Sequence, residues 1–92
     1  MGIIVHRVNT VQDLNAIPFE YGTEIDIRVF GNDLILNHEP FQKGDYLENY
    51  LNEYQHGTLI LNIKEAGIED EVFRLVRLRS HIKSYFLLDG HL

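Results

Sequence analysis

From Gly22 to Phe30 the chain alternates strictly, with Ile25, Ile27 and Val29 set against Glu24, Asp26 and Arg28. That is the period of a strand with one face in a core. Phe30-Gly31-Asn32-Asp33 is a turn, and Leu34-Ile35-Leu36 is a short return run that delivers His38. Upstream, Ile3-Ile4-Val5 is continuously apolar and predicts a strand buried on both faces. Thr10 with Asp13 resembles a capping box; Val11, Leu14 and Ile17 supply the apolar side of a short helix that Pro18 stops. After the loop Gln42-Lys43-Gly44, Asp45 opens a second helix with Glu48 as the reciprocal cap. Leu47, Tyr50, Leu51 and Tyr54 line one face of it, and Gly57 stands where a left-handed C-terminal cap is expected. Thr58 to Lys64 is a third strand, apolar until Asn62 and Lys64, which share a face. Ile68, Val72, Leu75 and Val76 form the stripe of a third helix; Arg74, Arg77 and Arg79 near its end read as solvated. Tyr85 to Leu88 is a fourth strand ending in Asp89, with Tyr85 and Phe86 expected in the core.

Strands and helices therefore alternate, which predicts an α/β fold of parallel β/α units. It has four strands, three helices and a small β excursion after the second strand. No repeat or linker divides the chain, so residues 1–92 are one domain. The polar residues of the strands gather at their C-terminal ends: His6 and Arg7, Glu24 and Asp26, Asn62 and Lys64, then Asp89. Sites in parallel α/β folds sit at that edge.

Composition narrows the partners. A net charge of −6 without a Lys/Arg cluster argues against nucleic acid. There is no cysteine for disulfides or thiolate ligands. No apolar run approaches the ~18 residues of a membrane span, and no signal-peptide core is visible, so a soluble cytoplasmic protein is expected.

Glu24 and Asp26 lie two apart on one strand face, roughly 6.6 Å along the backbone. Two carboxylates so placed can converge on one hard cation, whose oxygen ligands stand at about 2.0–2.6 Å. The same residues equally suit the solvated face of a half-buried strand, with His38 an exposed turn residue. The residues alone leave both open, and the gathering of polar groups at one strand edge favours a site. His56, His81 and His91 have no partner at metal-ligand spacing and read as structural.

His6-Arg7, Asn9-Thr10, Gly22-Thr23-Glu24-Ile25-Asp26-Ile27, the Asn32-Asp33 turn, His38-Glu39 and Asn62-Ile63-Lys64 follow one another in a telling order. The succession resembles the glycerophosphodiester phosphodiesterase family, a phospholipase C-like phosphodiesterase barrel. The similarity covers most of this chain but only the first half of the family's domain. It implies half of a TIM-type β/α barrel and a phosphodiester substrate. His6 and His38 would be an acid/base pair, and Glu24, Asp26 and Asn62 ligands of a divalent Mg²⁺ or Ca²⁺. Arg7 and Lys64 would contact the phosphate, and Asp89 would join them at the mouth. Departures from the family pattern are Val8 after His6-Arg7, where the family has glycine, Asn62 in place of a third carboxylate, and Glu39 after His38. Length departs as well, since such a barrel takes ~250 residues. Four strands cannot close one and would leave open edges. The expectation is a portion of a longer protein or a half-barrel that pairs with its own copy as a homo-oligomer. Two functions follow: a metal-dependent phosphodiesterase-like hydrolase or lyase, or a non-catalytic half-barrel that binds a phosphorylated small molecule or acts as a scaffold.

Overall fold

The computed structural model of the chain describes residues 2–89, apart from the side chain of Asp89. In chain order the elements are β1 (Ile4–Val5), α1 (Val11–Asn15), β2 (Gly22–Phe30), β3 (Asp33–Leu36) and β4 (Asp45–Tyr46), then α2 (Leu47–Glu53), β5 (Leu59–Ile63), α3 (Glu69–Arg77) and β6 (Tyr85–Asp89). All six strands belong to one sheet, ordered β4-β3-β2-β5-β6, with β1 also paired to β2.

Strand β2 is the axis of this sheet. Along one edge it pairs in parallel with β5 from Thr23↔Leu59 to Ile27↔Ile63, and β5 pairs in parallel with β6. The other edge is shared end to end by two strands of opposite direction. β1 runs parallel beside Gly22 and Thr23, while β3 runs antiparallel from Ile27↔Leu36 to Phe30↔Asp33. In the gap between them, Val8 N–H donates to the Glu24 carbonyl and Asn37 N–H to the Asp26 carbonyl, at 3.0 and 3.1 Å.

This arrangement corrects the expected half-barrel of parallel β/α units. Two of the five strand pairings, β2–β3 and β3–β4, are antiparallel, and the molecule is a small mixed sheet with three short helices rather than part of a TIM barrel. The physical cause is the tight turn after Phe30, where Gly31 adopts φ 64° and folds β3 directly back onto β2. What reads in sequence as an excursion is β3, and β4 falls on Asp45 and Tyr46, expected to open the second helix. Pairing of half-barrels with one another loses its geometric basis with the barrel.

One face of the sheet is packed. Ile25, Ile27, Leu59, Leu61 and Ile63 meet Leu14 of α1, the Leu47, Tyr50, Leu51 face of α2 with Tyr54, and Val72, Leu75 and Val76 of α3. Each fully buried Leu or Ile stabilises by roughly 1.5–3 kcal/mol. Buried Tyr50 satisfies its hydroxyl on Thr23 Oγ1 at 2.9 Å. The opposite face carries Glu24, Asp26, Arg28, Ile60, Asn62 and the side chains of Phe86 and Leu88, by alternation with the packed residues. Among the described residues no helix is long and apolar enough to cross a membrane.

Several local expectations shift. Ile3 is exposed, and β1 holds only two residues; Ile4 lies over Gly22, where a Cβ would collide with the Ile4 side chain and the Thr58 carbonyl. Asp45 does not cap α2, whose N-cap Tyr46 makes no side-chain bond. Its Oδ2 instead accepts from Val11 N–H of α1 at 2.8 Å. Gly57 lies outside the left-handed region, because α2 has already ended in extended backbone at Tyr54. Arg79 is not solvated but bonds Asn52 Oδ1 and the Leu75 carbonyl. Phe86 lies on the open face, 59% exposed.

Candidate functional site

The divided edge of β2 positions the site. β1 leaves the sheet just past Val5 and β3 just past Leu36, running toward each other from opposite directions. Each deposits its next histidine over the residues of β2 that face the gap, Glu24 and Asp26. His6 Nδ1 stands 3.1 Å from Glu24 Oε1, and His38 Nδ1 stands 3.6 Å from Asp26 Oδ2. Only the first of these is a hydrogen bond; His38 Nδ1 is buried without a hydrogen-bond partner and approaches Asp26 by charge alone.

Around these two pairs the other groups converge. Lys64, at the end of β5, brings Nζ to 3.7 Å from Asp26 Oδ1. Asn62 Nδ2 donates to Glu24 Oε2 at 3.2 Å, while its Oδ1 is buried without a partner. Arg7 N–H donates to Glu24 Oε1 at 3.3 Å, and Arg7 adopts φ 56°, a left-handed conformation unusual for a residue with a Cβ. Backbone strain of that kind concentrates at functional sites. Asp26 itself is buried, with Lys64 Nζ and His38 Nδ1 the charged or ionisable groups beside it.

The structure therefore brings His6, Arg7, Glu24, Asp26, His38, Asn62 and Lys64 to one place. For Asp89, only the backbone is described, paired with Ile63 at the end of the sheet; its side chain lies outside the described residues. Two further residues escaped the sequence-based set. Asn9 clamps Asp26, donating Nδ2 to Asp26 Oδ2 at 3.0 Å and accepting from Asp26 N–H at 2.8 Å. Arg28 donates to the carbonyls of Asn37 and His38, at 3.1 and 2.9 Å, and so holds the segment that carries the second histidine. Arg28 had a signal, its place on the same strand face as both carboxylates. Asn9 had only its position just after His6-Arg7.

The expected metal centre on Glu24, Asp26 and Asn62 finds no support in the arrangement of the described residues. Among the described residues no group of three or more His, Cys, Asp or Glu is arranged to hold a metal ion. The reason lies in the partners: Glu24 faces His6, the Arg7 N–H and the amide nitrogen of Asn62. Asp26 faces Asn9, His38 and Lys64. These partners compete with a cation for the two carboxylates, although Asn62 Oδ1 has no donor of its own.

The cluster is open at His6, whose side chain is 76% exposed, and closed at Asp26, which is buried. Concavities of about 430 and 240 Å³ lie elsewhere, the larger between the β2–β3 turn and the starts of α2 and α3, and none of the cluster's residues lines either. We weight the cluster over the cavities because its groups carry complementary chemistry, whereas the cavity walls mix apolar side chains with carboxylates already paired in part to Arg74 and Arg79. His56 and His81 are structural, bonded to the carbonyls of Ile17 and Leu51 at 2.9 Å each. No protein-family model, curated protein or solved structure matches the chain.

Proposed function

We propose that the chain binds a phosphodiester anion across His6 and His38 and cleaves it by paired imidazole chemistry. The observation that carries this reading is the approach of two histidines to two neighbouring carboxylates, one by a hydrogen bond and one at 3.6 Å. Two carboxylates two residues apart on β2 each face the Nδ1 of a different histidine. In the Nδ1–H tautomer each Nε2 is an acceptor; with a second proton it is a donor. One imidazole takes the proton of the attacking hydroxyl, from water or from a neighbouring group of the substrate, as the new P–O bond forms. The other, as imidazolium, gives its proton to the departing alkoxide as the old P–O bond breaks. Lys64 places one cation beside Asp26, and Arg28 holds the backbone beneath His38; with a protonated histidine they offset the two carboxylates toward an anionic ligand. The lack of cysteine fits a reducing cytoplasmic setting.

Hydrolysis of bis(p-nitrophenyl) phosphate tests this reading. His6→Ala and His38→Ala should each lower kcat by about 10²–10⁴, with a bell-shaped pH profile and no loss in EDTA. Turnover that persists in both variants would sink the imidazole mechanism, and turnover abolished by EDTA would restore a metal to it. The exposure of His6 favours a second reading, binding of a phosphorylated small molecule without turnover, because an open sheet face excludes little water. Phosphodiester binding that perturbs both histidines, with no product formed, would select it.

A further inference from the structure

The register of the sheet extends the site beyond β2. Glu24, Ile60 and Phe86 form one cross-strand row, and Asp26, Asn62 and Leu88 form the next. Both rows lie on the face away from the helices, because their neighbours Ile25, Leu61 and Leu87 pack into or against the core. Phe86 and Leu88 are 59% and 49% exposed. An apolar strip thus begins beside the polar cluster, roughly 5 Å from β2 at β5 and roughly 10 Å at β6, by ordinary strand spacing. On the other edge of β2 the segments bearing His6 and His38 close the way. A ligand larger than its phosphate has room toward Ile60, Phe86 and Leu88.

We infer that the ligand is amphiphilic, a phosphodiester whose anionic group sits at His6, His38 and Lys64 and whose alkyl or aryl substituent lies along Ile60, Phe86 and Leu88. The inference rests on the phosphodiester reading and adds the chemistry of the substituent. Charge divides along the proposed axis: the Lys64 ammonium stands at the head, and Ile60, Phe86 and Leu88 carry none. Hydrophobic burial sets the scale, since each methylene removed from water is worth roughly fourfold in affinity.

The test titrates the whole chain with dimethyl phosphate and with methyl octyl phosphate below its micelle concentration, followed by the NMR signals of His6, His38, Phe86 and Leu88. Both probes should move the histidine signals. Only the octyl probe should move Phe86 and Leu88, with Kd lower by about tenfold or more, equivalent to covering about two methylenes. In Phe86→Ser/Leu88→Ser the two probes should bind within about twofold of each other; a tail-length series on the unaltered chain gives the same answer without any substitution. Equal affinity for both probes, with the histidines responding, overturns the inference and leaves the phosphodiester reading intact. No histidine response to either probe removes that reading itself. Phe86 and Leu88 responding without the histidines identify a bare apolar patch and overturn the inference. So does a dimer in sedimentation that the double substitution dissolves, since the strip is then covered by a second copy.

Discussion

Individual side chains make the sharpest claims. Burial pushes the Tyr50 hydroxyl well above its ordinary value, against a smaller opposing effect of its hydrogen bond to Thr23, and burial raises Tyr54 as well. A pKa raised in the folded state means stability that is complete below pH ~10 and is lost as pH climbs toward the folded value. Urea unfolding should therefore show stability falling above pH ~10. Tyr50→Phe should cost about 1 kcal/mol at pH 7 through the lost bond to Thr23 and should flatten the alkaline fall; parallel pH curves for the two proteins would contradict this. Arg7 offers the opposite kind of change. Its φ of 56° suits glycine without penalty, so Arg7→Gly should raise stability by about 1 kcal/mol while weakening phosphodiester binding. A Tm unchanged or lower would show that no strain resides there.

Among the elements, helix α1 is the most dependent. Five residues cannot sustain a helix in water, and α1 relies on Thr10, whose side chain accepts from Asp13 N–H, and on Asp45 from across the sheet. Asp45→Ala should therefore destabilise by about 1 kcal/mol, read as a lower urea midpoint, and loosen the His6-to-Asn9 segment that leads into the helix. An unchanged midpoint would mean that water replaces the carboxylate. Much at this scale was legible beforehand. Alternation fixed β2, the 3.6-residue spacing fixed the buried faces of α2 and α3, and Thr10 marked the start of α1. Sheet topology was legible only in part. The Gly31-Asn32 turn and the return run Leu34-Ile35-Leu36 signal a hairpin. The placing of β4 outside β3 and of β5 on the other edge of β2 depends on non-local contacts. Asp45 misled for the same reason, an acid at a helix start whose acceptor is used by a different helix. Of the site, the sequence groups His6, Glu24, Asp26 and His38 as ends of parallel strands. They meet for another reason, Glu24 and Asp26 lying in the first half of β2 where β1 and the antiparallel β3 leave a gap. The clamp of Asn9 and the approach of Lys64 on Asp26 were not legible, because both depend on contacts distant in sequence.

For the molecule as a whole, the sheet sets a gradient of stability. β2 is flanked on both edges and β5 lies between β2 and β6, whereas β4 and β6 end the strand order. Amide exchange by NMR should be slowest in β2 and β5 and faster in β4 and β6; equal protection of β6 and β2 would require a further strand or partner on that margin. The proposed head and tail of the ligand then fall on parts of unequal rigidity: the acids on the firmest strand, Phe86 and Leu88 on a softer one.

The alternation of β2 has a last consequence. Ile25 and Ile27 anchor the hydrophobic interior from the same backbone that aims Glu24 and Asp26 outward. Inserting one residue between Thr23 and Glu24 would swap the two sets, sending acids inward and isoleucines out. Chemistry and folding are geared to each other here, so drift along this strand can proceed only in steps that keep its parity.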